Sequence, residues 1–220
     1  GAFFFIINKT QKPVNPSLKD ELAYKTFKAG ITGIPIIEKE KWRTEIVPIV
    51  NELNKESSPF KGLINLGGST GNGHPVPLFS FVSSLKPLFD NISFKELSFT
   101  QKTNFLINYW TCIRRMYPKG FDEKTRKQFL LLRTTSIYAF NYLSNDIFSW
   151  CIDDGIDPYD VNSIEKFLGP LEDFNWDKDT SPFAFLGGGK GVRKAHEVLL
   201  KELSEKGITH ATEAIRKNAC

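Results

Sequence analysis

Apolar residues recur every three or four positions along most of this chain, the spacing of an α-helix that packs one face against a core. Leu106, Tyr109 and Ile113 form one such series, and Thr100 is expected to cap their helix. Asn15 likewise precedes a proline that suits the first turn of a helix. The segments predicted to be helical are residues 16–28, 39–54, 100 to about 117, 129–150, a short stretch from 157 and a final helix after 189.

The segment 129–150 is predicted to be the longest helix and the centre of the core. Phe140, Leu143 and Ile147 lie on one apolar stripe, and further apolar residues cover the other faces. A helix of this kind is buried on most sides.

Two features interrupt the helical pattern. Pro48 removes a backbone hydrogen bond, so it is expected to kink or interrupt the helix at 39–54. The glycine-rich stretch 67–73 separates two short apolar runs, which predicts a β-hairpin within residues 61–79. We therefore expect a mainly α fold, a helical bundle with a small β-hairpin.

Composition excludes several classes of protein. The chain has 220 residues, enough to bury a core without disulfides, and its three cysteines form no CxxC pair. The longest apolar runs are too short to span a bilayer, so no membrane partner is expected. Together these features favour a cytoplasmic protein.

Charge is segregated along the chain. Residues 146–179, here called the acidic segment, hold ten acidic residues and two lysines, a net −8, so the remainder carries +12 against an overall +4. This suits a surface that binds a polyanion, or a clamp in which the acidic segment covers the basic part. Ordinary solvated faces are the alternative.

The chain begins with three phenylalanines and two isoleucines within its first seven residues. Such a start would leave an exposed, aggregation-prone apolar edge unless a preceding segment of the protein covered it. We therefore expect the chain to begin partway through a larger domain.

The stretch FIINKTQKPVNPSL, residues 5–18, resembles a segment of the bacterial DGQHR-domain family, the DndB-like proteins related to ParB and sulfiredoxin. SPFKG at 58–62, SLKPL at 84–88 and GKGV at 189–192 follow in the order that the family shows. The resemblance implies residues 1–30 as the tail of a truncated ParB-like domain with the first helix. Residues 31–220 would then be a helical domain with a hairpin insertion at 61–79.

The same resemblance implies a role in DNA phosphorothioate modification, its transcriptional control or defence. The Asp-Gly-Gln-His-Arg motif is absent, so a nucleotide cofactor is expected only together with an upstream part, and these residues alone are not expected to catalyse a reaction. Four residues resemble a ParB-like box that approaches a nucleotide: Asn8, Thr10, Gln11 and Lys12. Ile7 stands where the box has glutamate, which removes a hard oxygen ligand for a metal. A polar turn is the competing interpretation.

Six basic residues crowd into fourteen positions between two helices and form what we call the basic corner. They are Arg114, Arg115, Lys119, Lys124, Arg126 and Lys127. Such residues meet DNA phosphates without reading sequence. Tyr109, Tyr117 and Phe121 are close enough in sequence to stack on bases of a single strand. A solvated helix–helix corner is the alternative.

Residues 187–191, the glycine loop, precede the final helix and are a second candidate for phosphate binding. The backbone N–H groups at a helix start and its positive dipole end attract anions. The residues assigned to this site are Gly188, Gly189, Lys190, Arg193 and Lys194. Gly191 stands where a Walker loop has Ser or Thr, so this is no Walker loop, and a flexible entry turn is the alternative.

The three histidines are scattered, with no HxxxH pair and no triad order, so no catalytic or metal site is predicted from them. The favoured function is a DNA-binding or regulatory component of a DNA-modification or defence system. Two alternatives stay open: an ATPase or nuclease-like enzyme whose nucleotide motif lies upstream, and a scaffold that binds other modification proteins or a second copy of itself.

Overall fold

Helices account for most of the structure, a computed structural model that describes residues 15–31, 41–67 and 75–218. This confirms the predicted mainly α fold with a small β element. In chain order the elements are α1 (Pro16–Lys28), α2 (Lys41–Leu53), β1 (Ile64–Asn65), β2 (Val76–Pro77), α3 (Leu78–Ser84), α4 (Lys86–Asp90), α5 (Ile92–Lys95), α6 (Phe99–Met116), α7 (Pro118–Phe121), a 3-10 turn (Arg126–Gln128), α8 (Thr134–Asp153), α9 (Val161–Leu168), a second 3-10 turn (Gly169–Leu171), α10 (Gly188–Glu205) and α11 (Thr209–Asn218).

The chain divides into two compact units, Gly1–Ser83 and Ser84–Cys220. The predicted boundary after residue 30 stays a prediction. Within the described ranges, none of the helices combines the length and the hydropathy needed to cross a lipid bilayer.

The first unit is built on α1 and α2. Asn15 caps α1 as predicted, because its side-chain oxygen accepts a hydrogen bond from Ser17 N at 2.9 Å. The expected interruption at Pro48 is wrong, since α2 runs through it without a break. Its Ile46, Val47 and Val50 are fully buried, and this packing offsets the missing hydrogen bond.

The β element of the first unit is not a hairpin. Its strands β1 and β2 run parallel, with Ile64 opposite Val76 and Asn65 opposite Pro77. Parallel strands cannot be joined by a tight turn. The predicted hairpin was wrong because a glycine-rich stretch between two apolar runs does not specify strand direction. Most of that stretch, residues 68–74, lies outside the described residues.

The second unit is arranged around α8, which contacts α4, α9 and α10. Phe140, Leu143 and Ile147 are fully buried, which confirms the predicted central helix. That helix begins at residue 134 rather than 129, because Phe129 and Leu130 pair with residues 176–177 and residues 130–133 form a turn. Asn141 is buried inside α8 and is satisfied by Trp110 and Ser84.

Several predicted helix boundaries were also displaced. Ser98 rather than Thr100 caps α6, through a reciprocal pair of hydrogen bonds with Gln101. Asp157 closes a turn, and Asp160 caps the next helix, so α9 begins at residue 161. The apolar pattern predicts one helix at the end of the chain, whereas the structure has two, α10 and α11.

Candidate functional site

The basic corner lies where α6 ends and the chain turns toward α8. Arg115, Lys119, Lys124 and Lys127 are exposed, and their side chains extend from the end of α6, from α7 and from the turn that follows. Arg114 and Arg126, the other two members, are half-buried. Arg114 holds its guanidinium carbon 5.7 Å from the ring centre of Phe121, a cation–π contact.

Side-chain and backbone hydrogen bonds fix the backbone of the basic corner. Thr125 Oγ1 donates to Lys119 O at 2.7 Å, and Lys124 N donates to Asp122 Oδ1 at 2.9 Å. Gly120 packs so closely that an added Cβ would come within 2.6 Å of a Leu131 methyl group. The lysines therefore project from a fixed turn.

The aromatic residues near this corner do not form a stacking platform. Tyr109 is fully buried and donates its hydroxyl to Phe140 O, and Phe121 is buried as well. The hydroxyl of Tyr117 is held by Leu171 O. The predicted role in stacking on bases was wrong for Tyr109 and Phe121, because their rings are buried in the core, and it stays a prediction for the half-buried Tyr117.

The acidic segment borders the basic corner. Lys178 N donates to Gln128 O at 2.9 Å, and Phe129 forms an isolated antiparallel bridge with Asp177. Glu165 lies 3.6 Å from the guanidinium of Arg115. The acidic segment thus lies beside this surface, yet it leaves four of the six basic side chains exposed.

The glycine loop forms the start of α10 rather than preceding it, because Gly187 is at the cap position and residues 188–191 belong to the first turn, with no side chain bonded to the helix start. Its predicted binding of an anion stays a prediction. Gly188 has a φ of +64°, a backbone region that favours glycine. An added Cβ on Gly191 would meet the Leu186 carbonyl carbon at 3.0 Å, so this glycine is needed for packing. Lys190, Arg193 and Lys194 are exposed, and Lys194 pairs with Glu197 at 3.2 Å.

A cavity of about 640 Å³, here called the histidine cavity, lies in the second unit and is lined by residues of α8, α10 and α11. His196 Nε2 is 2.6 Å from Asp146 Oδ2, and His210 Nε2 is 2.8 Å from Asp154 Oδ1. Trp150 stacks on His210 with ring centres 5.8 Å apart.

The lining of the histidine cavity carries both signs of charge. Arg193 and Lys217 face it together with four carboxylates, Asp146, Asp153, Glu197 and Glu213, so acidic side chains outnumber basic ones apart from the two histidines. One histidine–aspartate pair joins α10 to Asp146 within α8, and the other joins α11 to Asp154 directly after α8. We assign these pairs a structural role.

The histidine–aspartate pairs could not be predicted from the sequence, because their members are far apart in the chain. A signal was present, since Asn145, Asp146, Ser149 and Asp153 place a polar stripe at helical spacing along the otherwise apolar α8. Which residues would face that stripe could not be read from spacing.

Other predicted residues cannot be placed. Asn8, Thr10, Gln11 and Lys12 lie outside the described residues, so their predicted nucleotide contact stays a prediction. Among residues 15–31, 41–67 and 75–218, no group of three or more His, Cys, Asp or Glu side chains is arranged to hold a metal ion. Comparison with family models, curated proteins and solved structures finds no match for this chain.

Proposed function

We propose that this chain is a DNA-associated component of a bacterial DNA-modification system of the phosphorothioation type, or of a related defence system. In this proposal the basic corner contacts the phosphate backbone of duplex DNA. The place in a modification system rests on the resemblance of residues 5–18, and the DNA contact rests on the geometry of the corner.

The observation that carries the proposal is the set of three exposed lysines, Lys119, Lys124 and Lys127. Their ammonium groups have no ion pair or side-chain hydrogen bond with any described residue. Most other surface lysines of the second unit with a described contact are paired with a neighbouring carboxylate, as Lys86 is with Asp90 and Lys201 with Glu205. Unpaired cations on a fixed turn can release their counterions and bind DNA phosphates without breaking an existing ion pair or rearranging the backbone.

The test replaces Lys119, Lys124 and Lys127 with glutamine. Binding to a duplex oligonucleotide, followed by fluorescence anisotropy across a salt series, should weaken for all sequences alike. The slope of log K against log salt should flatten by about one unit for each DNA phosphate that the variant no longer neutralises. Phosphate contacts position a protein without reading bases, so a weakening confined to one sequence would contradict the proposal.

A matched control removes the same charge elsewhere. Lys55, Lys86 and Lys201 are exposed and each pairs with a nearby carboxylate. Their replacement with glutamine lowers the net charge equally and should leave the salt slope nearly unchanged. Equal weakening in both variants would mean that overall charge, and not the basic corner, attracts DNA. Binding to other modification proteins or to a second copy of the chain stays a prediction.

A further inference from the structure

A second cavity, about 290 Å³ in volume, lies between the end of α6 and the acidic segment, and we call it the aromatic pocket. Four aromatic rings line it: Tyr117, Phe129, Phe174 and Trp176. Two carboxylates, Glu172 and Asp173, line it as well and are exposed. Both aromatic faces and negative charge attract organic cations.

Two sets of hydrogen bonds hold the walls of the aromatic pocket in place. Tyr117 donates its hydroxyl to Leu171 O, which ties the end of α6 to the acidic segment. Leu130 N donates to Trp176 O at 2.8 Å, which holds the chain at Phe129 against the same segment. The Trp176 ring packs 4.7 Å from Phe174 and 5.8 Å from Tyr117, measured between ring centres. The walls are therefore formed before any ligand binds.

The lining of the aromatic pocket holds more negative than positive charge, with Glu172 and Asp173 against Lys119. Burial raises the pKa of Tyr117, and the carboxylates of Asp173 and Glu172 raise it further, so their charge reaches this ring. The nearby indole N–H of Trp176 lowers the pKa of Tyr117 and so offsets part of this rise. The same N–H forms no hydrogen bond of ordinary geometry with any described residue.

Lys119 is the one basic residue in the described lining. It is exposed, and its ammonium group makes no cation–π contact with the four rings. A bare ammonium is strongly hydrated and loses that water on entering an apolar wall. A methylated ammonium is less costly to desolvate, and its methyl groups gain from burial against the rings.

We propose that the aromatic pocket binds a quaternary or methylated ammonium group. Aromatic rings supply the cation–π attraction, and Glu172 and Asp173 supply the balancing negative charge. Such a group occurs on free choline-type molecules and on methylated lysine side chains, and the pocket recognises what the two share. This inference does not depend on the proposed DNA contact.

The test compares choline with 3,3-dimethylbutan-1-ol, a neutral molecule of the same shape, in titrations of the full chain. The indole N–H signal of Trp176 in a proton–nitrogen NMR spectrum reports binding, beside those of Trp42, Trp110 and Trp150. Choline should shift the Trp176 signal and bind at least about tenfold more tightly than the neutral molecule. Equal binding of the two molecules, or shifts that spare Trp176, would overturn the proposal.

Charge variants add a second measurement. Glu172→Gln together with Asp173→Asn keeps the shape of the pocket and should weaken choline binding several-fold without weakening the neutral molecule. Asp179→Asn is the control, since this exposed residue of the same segment lies outside the lining. Choline affinity that is unchanged in the double variant would count against the proposal.

Two further experiments complete the test. The first identifies the source of the ammonium group, and the second distinguishes this proposal from the proposed DNA contact. A trimethyl-lysine peptide that binds much more tightly than choline indicates a protein partner, and the reverse order indicates a free small molecule. Lys119→Gln should strengthen choline binding, because it removes a repelling charge, while it weakens DNA binding. The two proposals can therefore fail independently.

Discussion

At the scale of single residues, the most consequential interaction in the first unit is the buried ion pair between Asp20 and Arg43. Both residues are 5% exposed, and Arg43 donates from Nε and from a terminal nitrogen to the two oxygens of Asp20 at 2.7 Å. The guanidinium also donates to Ser83 Oγ at 3.0 Å and stacks over the Phe79 ring. Such pairs are costly to break, because each partner alone is a buried uncompensated charge.

Replacement of Asp20 with asparagine should lower the free energy of unfolding by about 3–5 kcal/mol, measured by urea denaturation. The double variant Asp20→Leu with Arg43→Met should be less destabilised than either single variant, since it leaves no charge behind. Lys55→Gln, which removes an exposed partner of Glu52, is the control and should change stability by under about 1 kcal/mol. Additive effects in the double variant would show that the two residues do not act as a pair.

At the scale of elements, Asp154 joins three helices. It follows the end of α8 and accepts hydrogen bonds from Lys166 of α9 at 2.9 Å and His210 of α11 at 2.8 Å. Both hydrogen bonds lower the pKa of Asp154 below its ordinary 3.8, and the one from Lys166 has the larger effect. Its folded pKa is below its unfolded one, so its stabilising contribution is present above pH 3.8 and lost as the pH falls through the folded pKa.

Replacement of Asp154 with asparagine should therefore lower stability at neutral pH and flatten the fall in stability between about pH 4 and about pH 2. The effect should be smaller than that of Asp20→Asn, because Asp154 is solvent-accessible and screened. Thermal melting across this pH range measures it. Asp153→Asn is the matched control, as this exposed neighbour has no ion pair with a described residue. If both variants gave the same pH profile, Asp154 would have no special role.

At the scale of the whole molecule, two cysteines report on the integrity of the core of the second unit. Cys112 on α6 and Cys151 on α8 are free and fully buried. Burial raises the pKa of each thiol from 9.0 to about 12. Only the thiolate reacts, so both should be nearly inert while the unit is folded.

Iodoacetamide at pH 8 should leave Cys112 and Cys151 unmodified in the native protein and modify both in urea. Peptide mapping by mass spectrometry distinguishes them from Cys220, which lies outside the described residues. The labelling rate should follow the urea dependence of global unfolding. Rapid modification of either residue in native buffer would mean that α6 or α8 opens locally.

Much of the secondary structure could be predicted from local sequence. The bounds of α1 follow from Asn15, the proline after it and the glycine that ends it, and α8 is central because its apolar residues surround it. Errors arose where a distant segment competes with local preference. Residues 129–133 have a helical apolar pattern, yet Phe129 and Leu130 pair with residues 176–177 and the residues that follow form a turn.

The sequence by itself determined that this chain folds as a mainly helical protein with segregated charge, because helical periodicity and charge order are properties of neighbouring residues. It also located the basic corner, whose members are contiguous in the chain. Only the tertiary structure decided which aromatic residues are buried, that the strands run parallel, and which histidine meets which aspartate. It also brought Tyr117 and Trp176 together in one pocket. Such contacts join residues tens of positions apart, and no local pattern specifies which distant surfaces meet.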